Sequence, residues 1–142
     1  MSDYRKQLYN NYDTKFNSVI SKVTDEDLKS QADHYKVKIL PHLKDYNSDC
    51  NILEIGCGPG SLLNFLSLHG FKNLTGIDIS IEQIQLAKSK GLNVIEVDVM
   101  KYLEQSNRKW DIIFALDFVE HFNKEELVKL LKLIYHNLSD NG

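Results

Sequence analysis

From about residue 50 onward, short apolar runs alternate with amphipathic segments, a pattern that predicts βαβ units and a parallel sheet. The expected strands are Asn51–Ile55, Leu74–Ile79, Asn93–Val97 and Trp110–Leu116. The first and last are nearly continuous in apolar residues, as expected of strands covered by helices on both faces. Between them, Gly60–His69 carries Leu62, Leu63, Phe65 and Leu66 at helical spacing and stops at Gly70. Ser80-Ile81-Glu82-Gln83 reads as a capping box, with the serine oxygen accepting an N–H and Gln83 reaching back; that helix runs to Gly91. A short helix is expected over Met100–Gln105. Asn123-Lys124-Glu125-Glu126 opens a longer one, with Leu127, Leu130, Leu131 and Ile134 on one face.

Residues 1–49 follow a different pattern. Tyr4–Ile20 is polar with interspersed aromatics at Tyr9, Tyr12 and Phe16, a spacing that ordinary packing explains better than a cofactor box. Thr24-Asp25-Glu26-Asp27 begins a second helical stretch that reaches roughly Leu40, before Pro41. This region reads as a helical cap laid over the sheet's ligand edge, and residues 50–142 as the sheet domain. The chain closes on Leu138-Ser139-Asp140-Asn141-Gly142, a turn-like sequence directly after a long helix. An alternating α/β sheet normally continues into another strand here, so the pattern predicts a fragment ending before a fifth strand.

With 142 residues, 42% of them hydrophobic and 26% charged, the chain has the balance of one globular domain rather than a disordered segment. The net charge of −3 and the scattering of its 17 basic residues give no concentrated basic face, which argues against a nucleic-acid partner. Two cysteines, Cys50 and Cys57, offer neither a disulfide framework nor a zinc pattern, so a reducing, cytoplasmic setting is expected. The polar N-terminus is not a signal peptide, and no apolar run approaches the length of a membrane span.

The strongest chemical signal is Ile52-Leu53-Glu54-Ile55-Gly56-Cys57-Gly58-Pro59-Gly60, an apolar strand running into three glycines at alternate positions and then a helix. Glycine permits the tight turn and a close backbone approach to a ligand, and the helix start offers unpaired N–H groups. Dinucleotide binders need G-x-G-x-x-G so that a pyrophosphate sits on the helix N-terminus. Here the third glycine arrives one residue early, and Ser61 holds the position that pattern wants. Glu54 also disfavours a pyrophosphate and suits a cationic ligand such as an aminoacyl sulfonium.

Two further acids follow in order. Asp78, in Thr75-Gly76-Ile77-Asp78-Ile79-Ser80, falls at the carboxyl end of the second strand, where an open α/β sheet places ligand contacts. It can accept both ribose hydroxyls of an adenosine; the competing reading is a helix-capping aspartate, a role Ser80 already fills. Asp98, in Val94-Ile95-Glu96-Val97-Asp98-Val99-Met100, can accept the exocyclic amine of an adenine or cap the helix that follows. The ordered spacing of the three acids favours the ligand reading.

Taken together, the Glu54–Gly60 turn, Asp78, Asp98 and the strand Asp111-Ile112-Ile113-Phe114-Ala115-Leu116 resemble the class I S-adenosylmethionine-dependent methyltransferases over roughly residues 50–142. The resemblance implies a Rossmann-like three-layer α/β/α fold with a mainly parallel sheet, and S-adenosylmethionine as cofactor. It implies that Glu54, Gly56, Gly58 and Gly60, with Cys57 in the same turn, shape the methionine end of the site. Asp78 and Ile79 are then expected at the ribose and adenine, Asp98 and Val99 at the adenine, and Leu116 beside the methionine part.

Asp117-Phe118-Val119-Glu120-His121 follows the fourth strand at the mouth of that site. It is similar to the E-x-x-E-H of small-RNA 3′-end methyltransferases, but its first acid is aspartate. Three readings stand: a metal site, a general base at His121, or residues that order the loop and cap the next helix. We expect no metal and place the catalytic role, if any residue here carries one, on His121. The expected reaction is methyl transfer to a small-molecule or sugar-type acceptor. The alternatives are a non-catalytic S-adenosylmethionine-binding module, and an NAD-dependent oxidoreductase or epimerase on a similar sheet.

Overall fold

The computed structural model describes residues 24–142. The expectations for Tyr4–Ile20 lie outside the described residues. The chain divides into two compact units with the boundary between Asn47 and Ser48.

In the first unit, α1 spans Asp25–Lys38 and α2 spans Leu40–Leu43. Thr24 and Asp27 form a reciprocal capping box: the Asp27 N–H donates to Thr24 Oγ1 at 3.2 Å, and the Thr24 N–H donates to Asp27 Oδ2 at 2.8 Å. The second helical stretch does not stop cleanly before Pro41. It breaks at Ile39, and Pro41 sits in the first turn of α2, where a missing N–H leaves no hydrogen bond unmade.

The second unit is a four-stranded parallel sheet of order β3-β2-β1-β4, with β1 Asn51–Ile55, β2 Asn73–Asp78, β3 Val94–Glu96 and β4 Ile112–Phe114. Its helices are α3 Ser61–Leu68, α4 Ile81–Ser89, α5 Val99–Gln105 and α6 Lys124–Asn137, with a single 3₁₀ turn at Val119–His121. The strand register runs Ile55 against Ile77 and Ile77 against Ile95, with Glu54 against Phe114 on the other side of β1.

Alternation along β1 sends Leu53 and Ile55 into a core with Trp110, Leu103 and Leu130. On the opposite face Leu63, Ile84, Ala87, Cys57 and Val94 form a second cluster. Helices therefore cover both faces, which is why β1 is apolar throughout. β4 differs from the expected Trp110–Leu116 strand. Its ladder to β1 holds only for Ile112–Phe114, and its residues are half-buried because no strand pairs with its outer edge among the described residues. Trp110 instead makes a lone parallel bridge to Leu138. Asp111 ties that corner down: its carboxylate accepts the Asn51 N–H at 2.8 Å and the Ser139 hydroxyl at 2.9 Å. Those two donors hold it below the usual carboxylate range.

Strand order reverses between β1 and β4, so the carboxyl ends of these two strands open the crevice where α/β sheets take ligands. Among the described residues, no helix is long and apolar enough to cross a membrane.

Candidate functional site

The glycine turn leaves β1 and enters α3 through three left-handed glycines, Gly56 at φ 70°, Gly58 at φ 51° and Gly60 at φ 74°. The turn is strapped to β2 by the Gly56 and Cys57 N–H groups, which both donate to the Ile77 carbonyl, at 2.8 and 3.0 Å. The three glycines do different work. A Cβ on Gly56 would lie 2.2 Å from the Phe118 ring, and one on Gly60 would lie 2.4 Å from Leu92. Those flanks are filled by protein. Gly58 is open, with only Gln83 Oε1 near it among the described residues, at 3.6 Å, so this is where a ligand can lie against the backbone.

Glu54, at the end of β1, is only 5% exposed, and its Oε2 has no hydrogen-bond partner among the described residues. Burial, with the nearby Asp78 carboxylate adding to it, pushes Glu54 up to about 8 against a pull from the Leu63 backbone N–H. An orphaned buried acceptor beside a second acid is a poor place for an anion. A cationic group supplies what both carboxylates lack, so the donor set fits an aminoacyl sulfonium and not a pyrophosphate.

Asp78 bridges the turn and the next helix. Its Oδ2 accepts the Gly58 N–H at 2.9 Å and its Oδ1 accepts the Ser80 N–H at 2.8 Å. The expected reciprocal capping box at Ser80 is therefore half-made. Ser80 Oγ accepts the Gln83 N–H at 3.5 Å, but Asp78 takes the Ser80 N–H in place of the Gln83 side chain. Each Asp78 oxygen makes one bond to the backbone, and a carboxylate offers about four acceptor positions in all, so two ribose hydroxyls remain within its capacity.

Asp98 caps α5, its Oδ1 accepting the Met100 and Lys101 N–H groups at 2.9 and 3.2 Å. The capping alternative describes its geometry in this chain. Ile79 is half-buried just after β2, Val99 is buried at the start of α5, and Leu116 is half-buried just beyond β4. The Cys57 thiol points into the core, and burial with Glu54 and Asp78 nearby pushes it far above a reactive range. Cys57 thus presents only its backbone to a ligand.

After β4, Asp117 takes a left-handed conformation at φ 47°. That kink turns Phe118 inward, over Gly56 and edge-on to Phe122 at 5.1 Å. His121 sits in the 3₁₀ turn with its ring 6.4 Å from Phe118. Among the described residues, no three histidine, cysteine or acidic side chains come together as a metal cluster, so Asp117, Glu120 and His121 do not converge.

Sequence reasoning missed two features. The Phe118–Gly56 contact and the Asp78–Gly58 bond join segments about 60 and 20 residues apart, and no local pattern signals them.

Comparison with known proteins agrees with this geometry. A family model described as a methyltransferase domain matches residues 52–142. A ubiquinone biosynthesis O-methyltransferase of Rickettsia bellii is 33% identical over 103 residues, covering 68% of this chain and 42% of that protein. The chain thus spans less than half the length of that relative. The structure of an S-adenosylmethionine-dependent methyltransferase from Archaeoglobus fulgidus is 28% identical, with a TM-score of 0.65 over 76% of this chain and 48% of the other. Magnesium protoporphyrin IX methyltransferase from Synechocystis PCC 6803, with bound SAH, reaches a TM-score of 0.76 at 20% identity, over 96% of this chain and 69% of the other, a likeness of fold. By its matched domain, its parallel sheet and its glycine turn between ordered acids, the chain belongs to the class I S-adenosylmethionine-dependent methyltransferase family.

Proposed function

We propose that the protein binds S-adenosylmethionine at the carboxyl edge of its sheet and serves methyl transfer to a small-molecule or sugar-type acceptor, at a hydroxyl oxygen. The observation that carries this is the buried Glu54 carboxylate, whose Oε2 has no partner among the described residues, beside a glycine turn whose middle residue is open. The cofactor, when bound, supplies an electrophilic methyl on a positively charged sulfur.

The chain's own residues supply position and charge. Glu54 and the backbone of Gly56–Gly60 hold the aminoacyl end, with Leu116 beside it. Asp78 takes the ribose hydroxyls, Ile79 and Val99 flank the adenine, and Asp98 accepts its exocyclic amine. His121, in the turn after β4, is the group we assign to remove the acceptor's proton.

A small acceptor is supported by the O-methyltransferase named above and by the lack of a basic face. The free, buried Cys50 and Cys57 fit a reducing, cytoplasmic setting. The test is methyl-labelled S-adenosylmethionine offered with phenolic, sugar, peptide and RNA acceptors. Acceptor-dependent label transfer to a phenol or sugar hydroxyl is expected. Transfer confined to peptide or RNA, or to nothing, would overturn the acceptor class.

A further inference from the structure

We propose that Gln83 is a further cofactor-positioning residue, its side-chain amide bonding the nucleoside half of the ligand that lies over Gly58; this rests on the cofactor reading above. Gln83 is in the first turn of α4 and is only 2% exposed, yet its Oε1 is buried with no hydrogen-bond partner among the described residues. A buried amide without a partner is costly, and native proteins rarely keep one without a reason. Capping does not supply the reason, because the backbone N–H of Gln83 makes the bond to Ser80 and the side chain does not. Methionine or leucine would fill the same volume without stranding a polar group.

The location supplies the reason. Among the described residues, and apart from its chain neighbours, Gln83 Oε1 is the one atom within 4 Å of the position a Gly58 Cβ would occupy, at 3.6 Å. It therefore walls the one glycine of the turn whose flank protein does not fill. The same place is wired to the ribose carboxylate. Asp78 holds the Gly58 N–H on one oxygen and the Ser80 N–H on the other, and Ser80 Oγ holds the Gln83 N–H. Gly58 is itself bonded to Asp78, so Gln83 stands where the aminoacyl end passes into the ribose, and its amide is assigned to the ribose side of that junction.

The experiment is calorimetric titration of the protein and its Gln83→Met variant with S-adenosylhomocysteine and with 5′-methylthioadenosine, which lacks the aminoacyl group. Thermal unfolding of both ligand-free proteins is measured alongside. The expected result is an affinity loss of about tenfold for both ligands, the scale of one hydrogen bond. The midpoint of the ligand-free variant should be unchanged or raised, since an orphaned amide has gone. Unchanged affinity for both ligands, or a loss confined to S-adenosylhomocysteine, overturns the assignment to the nucleoside half. A fall in the ligand-free midpoint overturns the claim that the amide is idle without ligand. A wild-type protein that binds neither ligand would instead overturn the cofactor reading, and this proposal with it.

Discussion

Replacing Glu54 by glutamine keeps the side chain's shape and removes its charge, which makes it a direct probe of the buried carboxylate. In the ligand-free protein Glu54 is 5% exposed and titrates near 8, against an ordinary value of 4.5. Between these two pH values the folded state holds a proton that the unfolded chain has released. Stability therefore falls as pH rises from 4.5 to about 8, and levels off above it. At about 1.4 kcal/mol per pH unit, the penalty on the ionised folded state is about 5 kcal/mol at most, and water entering the site lowers it. Urea unfolding of wild type and Glu54→Gln from pH 5 to 8.5 reads the difference. Wild type should lose several kcal/mol that the variant keeps, with the gap opening as pH rises. Parallel stability curves would refute the reasoning, because they would mean that Glu54 ionises in the folded state as easily as in the unfolded one. The same linkage makes cofactor binding release a proton below pH 8, since a cation bound beside Glu54 draws it into its charged form.

Four other substitutions have outcomes that follow from this account. Gly56→Ala should cost about 2–5 kcal/mol in denaturant unfolding, from the left-handed backbone plus the collision with Phe118. Gly58→Ala should cost only the backbone share, about 1–2 kcal/mol, while lowering cofactor affinity; equal losses for both would undo the distinction between filled and open flanks. Asp78→Ala should weaken S-adenosylhomocysteine binding by about 1.5–3 kcal/mol in calorimetry, and an unaltered affinity would remove the ribose assignment. His121→Ala should leave that affinity nearly intact while cutting methyl transfer by about 10²–10⁴, the usual worth of a general base, and surviving turnover would end that role.

Much of the sheet was legible because its signals are local. Apolar runs bounded by Gly and Asn marked β1 and β2, and Ser80, Asp98 and Asn123 marked the helix starts within a residue. β4 is shorter than its apolar run, because such a run reports burial potential and says nothing about where a partner strand ends. Its hydrogen-bond ladder stops at Phe114, and the half-burial of Ile112–Phe114 follows from its place at the sheet edge. Pro41 signals a stop in the sequence, yet at the start of a helix its missing N–H costs nothing. In the site, Glu54, Gly58 and Asp78 could be chosen from residue type and order. Their division of labour could not, because Phe118 and Leu92 reach their glycines across the tertiary structure. Gln83 looked like a cap residue, and only its burial showed the side chain to be idle.

The most direct test of the central claim is calorimetric titration of the protein with S-adenosylhomocysteine, with NAD as the comparison. Saturable binding of S-adenosylhomocysteine and none of NAD is the predicted result, since the turn offers an orphaned carboxylate where a pyrophosphate would need positive charge. Binding of NAD alone would contradict it, and the glycine turn would then belong to a dinucleotide site.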